Sequence, residues 1–310
     1  MIYQISKEFT PLIDEIDKYL IGKKEIIALS LATFFARGHL LLEDIPGVGK
    51  TTLAKHLSQI LGLDFGRIQF TSDMLPSDIL GINYYNQKEG NFVFKKGAIF
   101  HSFVLADEIN RSMPKTQSAL LQAMEEGVVT IDNKEHILKK PFFVMATQNP
   151  HEEVGTFELP SSQLDRFMSS FGIGYPEREF EREILKGNTN SDVHLNVTSK
   201  AFLTTSKIEE YMDRASKINL NDRVLDYIQN IIAYTRESGV FKYGLSTRGA
   251  LSLTDMVKSW AMLCGRDYAT ADDVNMVFGV VSSHRLIFKE GISTKERIED
   301  EVFNRVYSDI

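Results

Sequence analysis

The sequence predicts an α/β protein, a parallel sheet sandwiched by helices over residues 1–176, followed by an all-helical domain over residues 177–310. Three observations carry this. Short, nearly continuous apolar runs recur at 39–43, 65–70, 102–106, 142–147 and 171–174, the pattern of strands buried on both faces. Helical stretches at 50–61, 114–126 and 161–168 lie between them, and buried strands alternating with helices imply a parallel sheet. After Glu177 the strand signal stops, and helical patterns follow at 177–186, 206–217, 223–237, 247–264 and 271–285. The boundary falls in "GIGYPERE" (172–179).

Taken in order, Thr10 and Pro11 read as the cap and first residue of a helix reaching about residue 20. A second helix covers 23–36 and stops at Gly38. Two segments interrupt the α/β alternation. Residues 81–97 hold two alternating runs around a polar turn with Gly90, and residues 127–141 repeat the design around Asn133 and Lys134. Both read as β-hairpins at the edge of the sheet, either as ordinary edge strands or as a protrusion. Residues 187–200 are polar and read as a loop. Thr270 with Asp273 resembles a capping box for the helix at 271–285.

Composition narrows the classes of function. The 310 residues are 43% hydrophobic and 25% charged, ordinary for a globular protein with a sizeable core. A net charge of -7 argues against a surface built for nucleic acid. Cys264 is the single cysteine, so neither an internal disulfide nor a cysteine zinc cluster can form. The first twenty residues carry acids throughout and do not read as a signal peptide, and no run of about 18 apolar residues suggests a membrane span. The cytoplasm is the expected compartment.

The chemistry concentrates in a few motifs. "LLEDIPGVGKTTLA" (41–54) ends as a phosphate-binding loop should, with Gly49, Lys50 and Thr51, but Asp44 stands where the G-x-x-x-x-G-K-[ST] pattern has its first glycine. Such a loop between a buried strand and a helix N-terminus aims backbone N–H groups at one anion. Lys50 would reach the β- and γ-phosphates, and the Thr51 hydroxyl would ligate Mg2+. "FVLADEIN" (103–110) delivers Asp107 and Glu108 at the end of a buried strand, where open α/β sheets bind ligands. Asp107 would hold Mg2+ and Glu108 would activate water; the alternative is a pair of solvated acids. "FFVMATQNP" (142–150) places Asn149 to meet a γ-phosphate or water, or merely to form an Asn-Pro turn. Arg166 and Arg248 are either surface ion-pair arginines or the positive charge a phosphoryl-transfer site needs beyond Lys50.

The order of these motifs is that of AAA+ ATPases, and the chain resembles the MoxR family among them. The resemblance is carried by "LLEDIPGVGKTTLA", "IQFTSDMLPSDILG", "LADEINRSMPKTQSALLQAMEEGVVTID", "ATQNPHEEVGTFELPSSQLDRF", "GLSTRGALSL" and "GRDYATADDV". It implies ATP/ADP and Mg2+ as ligands. Gly47, Val48, Gly49, Lys50, Thr51 and Thr52 match Walker A, Asp107 and Glu108 Walker B, Asn149 sensor 1, Arg248 sensor 2 in the lid, and Arg166 an arginine finger acting on a neighbouring subunit. Ile21 and Gly22 fall where the adenine is contacted through backbone atoms. The two hairpins match the helix-2 insert and the pre-sensor-1 hairpin.

A ring, with six subunits expected, follows from the resemblance, as does a chaperone-like role on a protein client with a partner carrying a von Willebrand factor A domain. The rival readings are a magnesium-chelatase-type subunit, a DNA-acting helicase, and a nucleotide-gated switch without turnover. MoxR-like sequences carry glycine or aspartate at position 44, and Asp44 must turn its carboxylate away from the phosphates.

Overall fold

The structure is a computed structural model and describes residues 4–149, 155–186, 201–291 and 293–306. The polar stretch 187–200 lies outside the described residues. The N-terminal half contains α1 (Thr10–Asp17), α2 (Lys24–Phe35), β1 (Leu40–Glu43), α3 (Lys50–Ile60), β2 (Phe65–Gln69), α4 (Pro76–Leu80), β3 (Gly81–Asn86), β4 (Asn91–Lys96), β5 (Phe103–Asp107), α5 (Pro114–Glu126), β6 (Val128–Ile131), β7 (Lys134–Ile137), β8 (Phe143–Gln148), α6 (Ser161–Leu164) and β9 (Ser169–Phe171). A single 3-10 turn, Ile109–Arg111, follows β5. Then come α7 (Arg178–Leu185), α8 (Thr205–Ser216), α9 (Asp222–Glu237), α10 (Thr247–Leu263), α11 (Ala271–Ser282) and α12 (Lys295–Phe303). Thr10 is not a cap: Phe9 holds that place, and the Thr10 hydroxyl donates to the Ser6 carbonyl at 2.9 Å.

Five strands form one parallel sheet in the order β2-β5-β8-β1-β9. Alternation along the central strands sorts their side chains between two cores. Leu40, Leu42, Phe103, Leu105, Phe143 and Met145 join the core containing α1, α2, α3 and the C-terminal helices. Leu41, Val104, Ala106, Val144 and Ala146 face the other way, onto α4 and α5. Both faces are therefore covered, which is why these strands read as unbroken apolar runs. The C-terminal helices share the first core: α8 and α10 pack on α2, and the Ser259 hydroxyl donates to the Ala32 carbonyl at 2.7 Å.

The hairpins correct one expectation. β3–β4 and β6–β7 are separate two-stranded antiparallel sheets, and neither adds an edge strand to the main sheet. They lean on each other instead. Phe94 stacks on His136 with centroids 3.8 Å apart, and the Asn83 amide donates to Asp132 at 2.7 Å. The second turn is built on Asp132 and Asn133, both at positive φ as a two-residue I′ hairpin loop requires, and Lys134 already belongs to β7.

Candidate active site

The sheet order decides which motif residues meet. β1, β8 and β5 are neighbours, so the loop after β1, the end of β8 and the end of β5 open at one edge of the sheet. Between them lies a cleft of about 320 Å³ lined by Pro46, Gly47, Gly49, Lys50, Thr51, Thr52, Asp107, Glu108 and Asn149.

The loop's shape depends on glycine at position 49, which caps α3 at φ 101° in the left-handed region. A Cβ there would also stand 2.6 Å from Leu20 Cδ1. Lys50 begins α3 and is buried, its ammonium donating to the Asp44 carbonyl and lying 3.5 Å from Asn149 Oδ1. The Asp44 side chain points elsewhere. Its Oδ1 accepts from Ile45 N at 2.8 Å and its Oδ2 from Gly174 N at 2.6 Å, beyond the end of β9. The carboxylate thus ties the loop to the chain leaving the sheet.

Asp107 and Glu108 are held by residues that sequence reading missed. Thr147 spends one hydroxyl on both: its Oγ1 donates to Asp107 Oδ1 at 2.7 Å and accepts from Glu108 N at 2.8 Å. Arg67 donates to Asp107 Oδ2 through Nη2 at 2.6 Å and Nε at 3.2 Å. Gln69 donates to Glu108 Oε2 at 2.7 Å, and Arg111 Nε lies 3.1 Å from the same oxygen. Asn149 Nδ2 donates to Glu108 Oε1 at 3.3 Å, so this one amide spans from Lys50 to Glu108. Glu108 itself sits at φ 58°, a strained conformation for a residue with a Cβ. The missed residues had a faint signal. Arg67 and Gln69 are polar, alternate positions of an otherwise buried strand, and Thr147 is a hydroxyl at the end of another.

Thr51 and Asp107 put a hydroxyl and a carboxylate on the same cleft, a donor set that suits a hard cation retaining much of its water. The residues present therefore fit Mg2+.

Other expected site residues lie outside the cleft. Val48 packs against the first core. Gly22 is exposed beside α7, where an added Cβ would stand 2.4 Å from the Phe180 ring, and Ile21 is half-buried next to it. Arg166 and Arg248 converge on a single carboxylate. Arg166 Nη1 lies 2.9 Å from Glu125 Oε2 and donates to the Leu121 carbonyl at 2.9 Å, while Arg248 Nη2 pairs with Glu125 Oε1. The two guanidinium groups, from the core and from α10, are thus held together at the end of α5 rather than over the loop of their own chain.

A glycine-bearing loop that opens a helix beside paired acids at the end of a parallel strand defines a P-loop ATPase. Comparison with known proteins agrees. Residues 39–169 match the ATPase family associated with various cellular activities (AAA), and residues 233–302 match the AAA lid domain. YeaC of Bacillus subtilis, an uncharacterised protein, is 41% identical over 299 residues, spanning 95% of this chain and 92% of its own. Chaperone MoxR1 of Mycobacterium tuberculosis is 34% identical over 304 residues, 94% of this chain and 79% of its own. The crystal structure of a candidate ATPase from Cytophaga hutchinsonii superposes with a TM-score of 0.87 at 37% identity, over 97% of this chain and 94% of that one. The chain belongs to the MoxR family of AAA+ ATPases. Among the described residues no helix is long and apolar enough to cross a membrane.

Proposed function

We propose that the protein hydrolyses ATP at sites completed between protomers of a ring, and uses the cycle to remodel a client protein complex. The observation that carries this reading is the separation of charges. Among the described residues Lys50 is the only cation lining the cleft; Arg67 and Arg111 beside it are paired with Asp107 and Glu108, and Arg166 and Arg248 are paired elsewhere on Glu125. A transferring phosphoryl group calls for positive charge beyond Lys50 and Mg2+, and in this reading a neighbour's arginines supply it.

In this reading the amides of Gly47 to Thr52 cradle the phosphates, and Lys50 binds the β- and γ-oxygens. Thr51 and Asp107 would hold Mg2+, which would supply positive charge to the phosphates. Glu108 takes a proton from the water that attacks the γ-phosphorus, and ADP leaves with its β-oxygen charge held by Lys50. Asn149, in reach of both Lys50 and Glu108, orients that water against the γ-phosphate. Ile21 and Gly22 offer backbone groups to the adenine from the rim beside Leu20. The hairpin pair leaves Ile82, Tyr85, Phe92 and Ile137 exposed, an apolar surface suited to a protein client. A relative named as a chaperone supports the remodelling role. A hexameric ring in the cytoplasm, with a partner carrying a von Willebrand factor A domain, completes the proposal.

The test is ATPase activity across protein concentrations. Turnover per protomer should rise with concentration and vanish in Glu108→Gln, with ATP binding retained. Activity that stays absent at every concentration would instead make the protein a nucleotide-gated switch.

A further inference from the structure

The short segment that carries Arg166 is bolted to the C-terminal helices by one buried arginine. Arg285, just past α11, is 4% exposed at its side chain. Its Nε donates to Asp165 Oδ1 at 2.7 Å. Its Nη2 donates to the carbonyls of Asp165 at 3.1 Å and Phe167 at 2.6 Å, and its Nη1 to that of Met168 at 3.0 Å. The neighbouring His284 adds Nε2 to the Phe167 carbonyl at 3.0 Å. Three carbonyls and one carboxylate on both sides of Arg166 are thus gripped from the helical domain.

The same node reaches Arg248. The Ser246 hydroxyl donates to Asp165 Oδ2 at 2.9 Å and accepts from Gly249 N at 2.9 Å, capping the helix whose first turn bears Arg248. Asp165 therefore sits at the positive end of α10, where a carboxylate is favoured. Gly249 makes the approach possible. A Cβ there would stand 3.1 Å from Arg285 Cδ and 3.3 Å from Nε, so a larger residue would make Arg285 give way by a few tenths of an ångström.

A buried ion pair is weak evidence for stability, because desolvation offsets much of its attraction. Its geometric effect is plainer here. The planar donors of Arg285 on Asp165, Phe167 and Met168 hold the segment against the end of α11, and Ser246 ties the same segment to the start of α10.

We propose that Asp165 and Arg285 are positioning residues that fix Arg166 and Arg248 as one preassembled pair, presented together to a neighbour's nucleotide. This rests on the reading above that both arginines act across a protomer boundary. Neither Asp165 nor Arg285 touches substrate. They act on the neighbour's turnover by setting where two guanidinium groups stand, and a displacement of about 1 Å at a reacting centre can lower a rate on the order of a hundredfold.

The experiment is complementation between variants of the full chain. Asp165→Asn, whose side chain is partly exposed, and Arg285→Lys, which keeps the charge but cannot span the four acceptors, are each assayed alone and mixed with Glu108→Gln. Arg166→Ala mixed with Glu108→Gln is the control. Alone, each positioning variant should lose at least about tenfold in kcat, with the affinity for a fluorescent ATP analogue within about twofold of the parent. Mixing should restore turnover, because Glu108→Gln protomers contribute well-placed arginines to the intact nucleotide sites of the other variant. Should Arg285→Lys fail to fold, judged by its thermal melt, Asp165→Asn carries the test alone.

Rescue in the control without rescue of Asp165→Asn overturns this inference and leaves the function standing. Parental turnover in Asp165→Asn alone also overturns it. No rescue in the control removes the cross-protomer reading, and the inference falls with it.

Discussion

A carboxylate beside a phosphate-binding loop looks like an electrostatic fault, and at Asp44 the geometry removes the fault. Its two oxygens accept from Ile45 N and Gly174 N, so the charge is spent on the junction between the loop and the chain leaving β9. Asp44→Gly should therefore leave nucleotide affinity within about twofold, while losing two charge-assisted hydrogen bonds costs about 1–2 kcal/mol of stability. Titration with a fluorescent nucleotide and a denaturant melt would check both. A large gain in affinity would mean that the carboxylate does face the phosphates. Single residues were unevenly legible. That Lys50, Asp107, Glu108 and Asn149 line one cleft is legible in sequence because each ends or follows a buried strand. The parts of Thr147, Arg67 and Glu125 are not, because their roles come from partners across the sheet or on another element, and no local pattern encodes those pairings. Arg166 Nε, buried with no acceptor among the described residues, is a similar case. A buried donor without a partner calls for one, and the described residues of its own protomer supply none.

Elements were read well where burial was complete and poorly where polar residues did the structural work. β5 and β8 are buried throughout and were found almost to the residue. The apolar run at 171–174 predicts a strand there, but β9 covers Ser169–Phe171, because its first two residues are serines. Ser169 shares a hydrogen bond with Thr33 at 2.7 Å and Ser170 donates to Glu43 at 3.2 Å, so hydroxyls replace the apolar signal. The hairpins were visible by alternation, but whether they joined the main sheet depended on Phe94, His136 and the Asn83–Asp132 bond, which span some 40 to 50 residues of chain. α12 lies beyond the last helical pattern at 271–285, although Thr294 caps it by accepting from Arg297 N.

His39, just before β1, shows what such a junction costs in acid. Its Nδ1 accepts from Val144 N at 3.0 Å, which leaves Nε2 to donate to the Met124 carbonyl at 3.3 Å, and the Phe142 and Phe143 rings lie against it. Burial holds its pKa down, from 6.5 to about 4, and burial followed by the Arg285 charge depresses His284 as well. The unfolded chain takes up these protons as pH falls through about 6.5, while folded His39 does not until about 4. The associated stability is therefore complete above about pH 6.5 and is lost as pH falls toward 4. Moving from pH 7.5 to 5.5 should cost about 1 kcal/mol for His39, and His284 adds to the loss in the same direction. Denaturant melts at the two pH values would measure it, and His39→Gln should flatten the dependence. An unchanged slope in that variant would assign the effect to other groups.

At the scale of the whole molecule, the core and the C-terminal helices meet twice around the same two arginines: through Glu125 at the end of α5, and through Asp165 between α6 and β9. That arrangement sets an expectation about energetics. Groups that stabilise one transition state as a unit are strongly non-additive when removed, because the first deletion already forfeits most of what the pair supplies. Arg166→Ala should lower turnover by about 10³ or more, as fingers of this kind do in other NTPases. Arg248→Ala should lose nearly as much. The double variant should then fall no more than about tenfold below the weaker single one, with nucleotide affinity retained in all three. If instead the two losses multiply, the arginines act independently, and Arg248 belongs to the nucleotide site of its own protomer rather than its neighbour's.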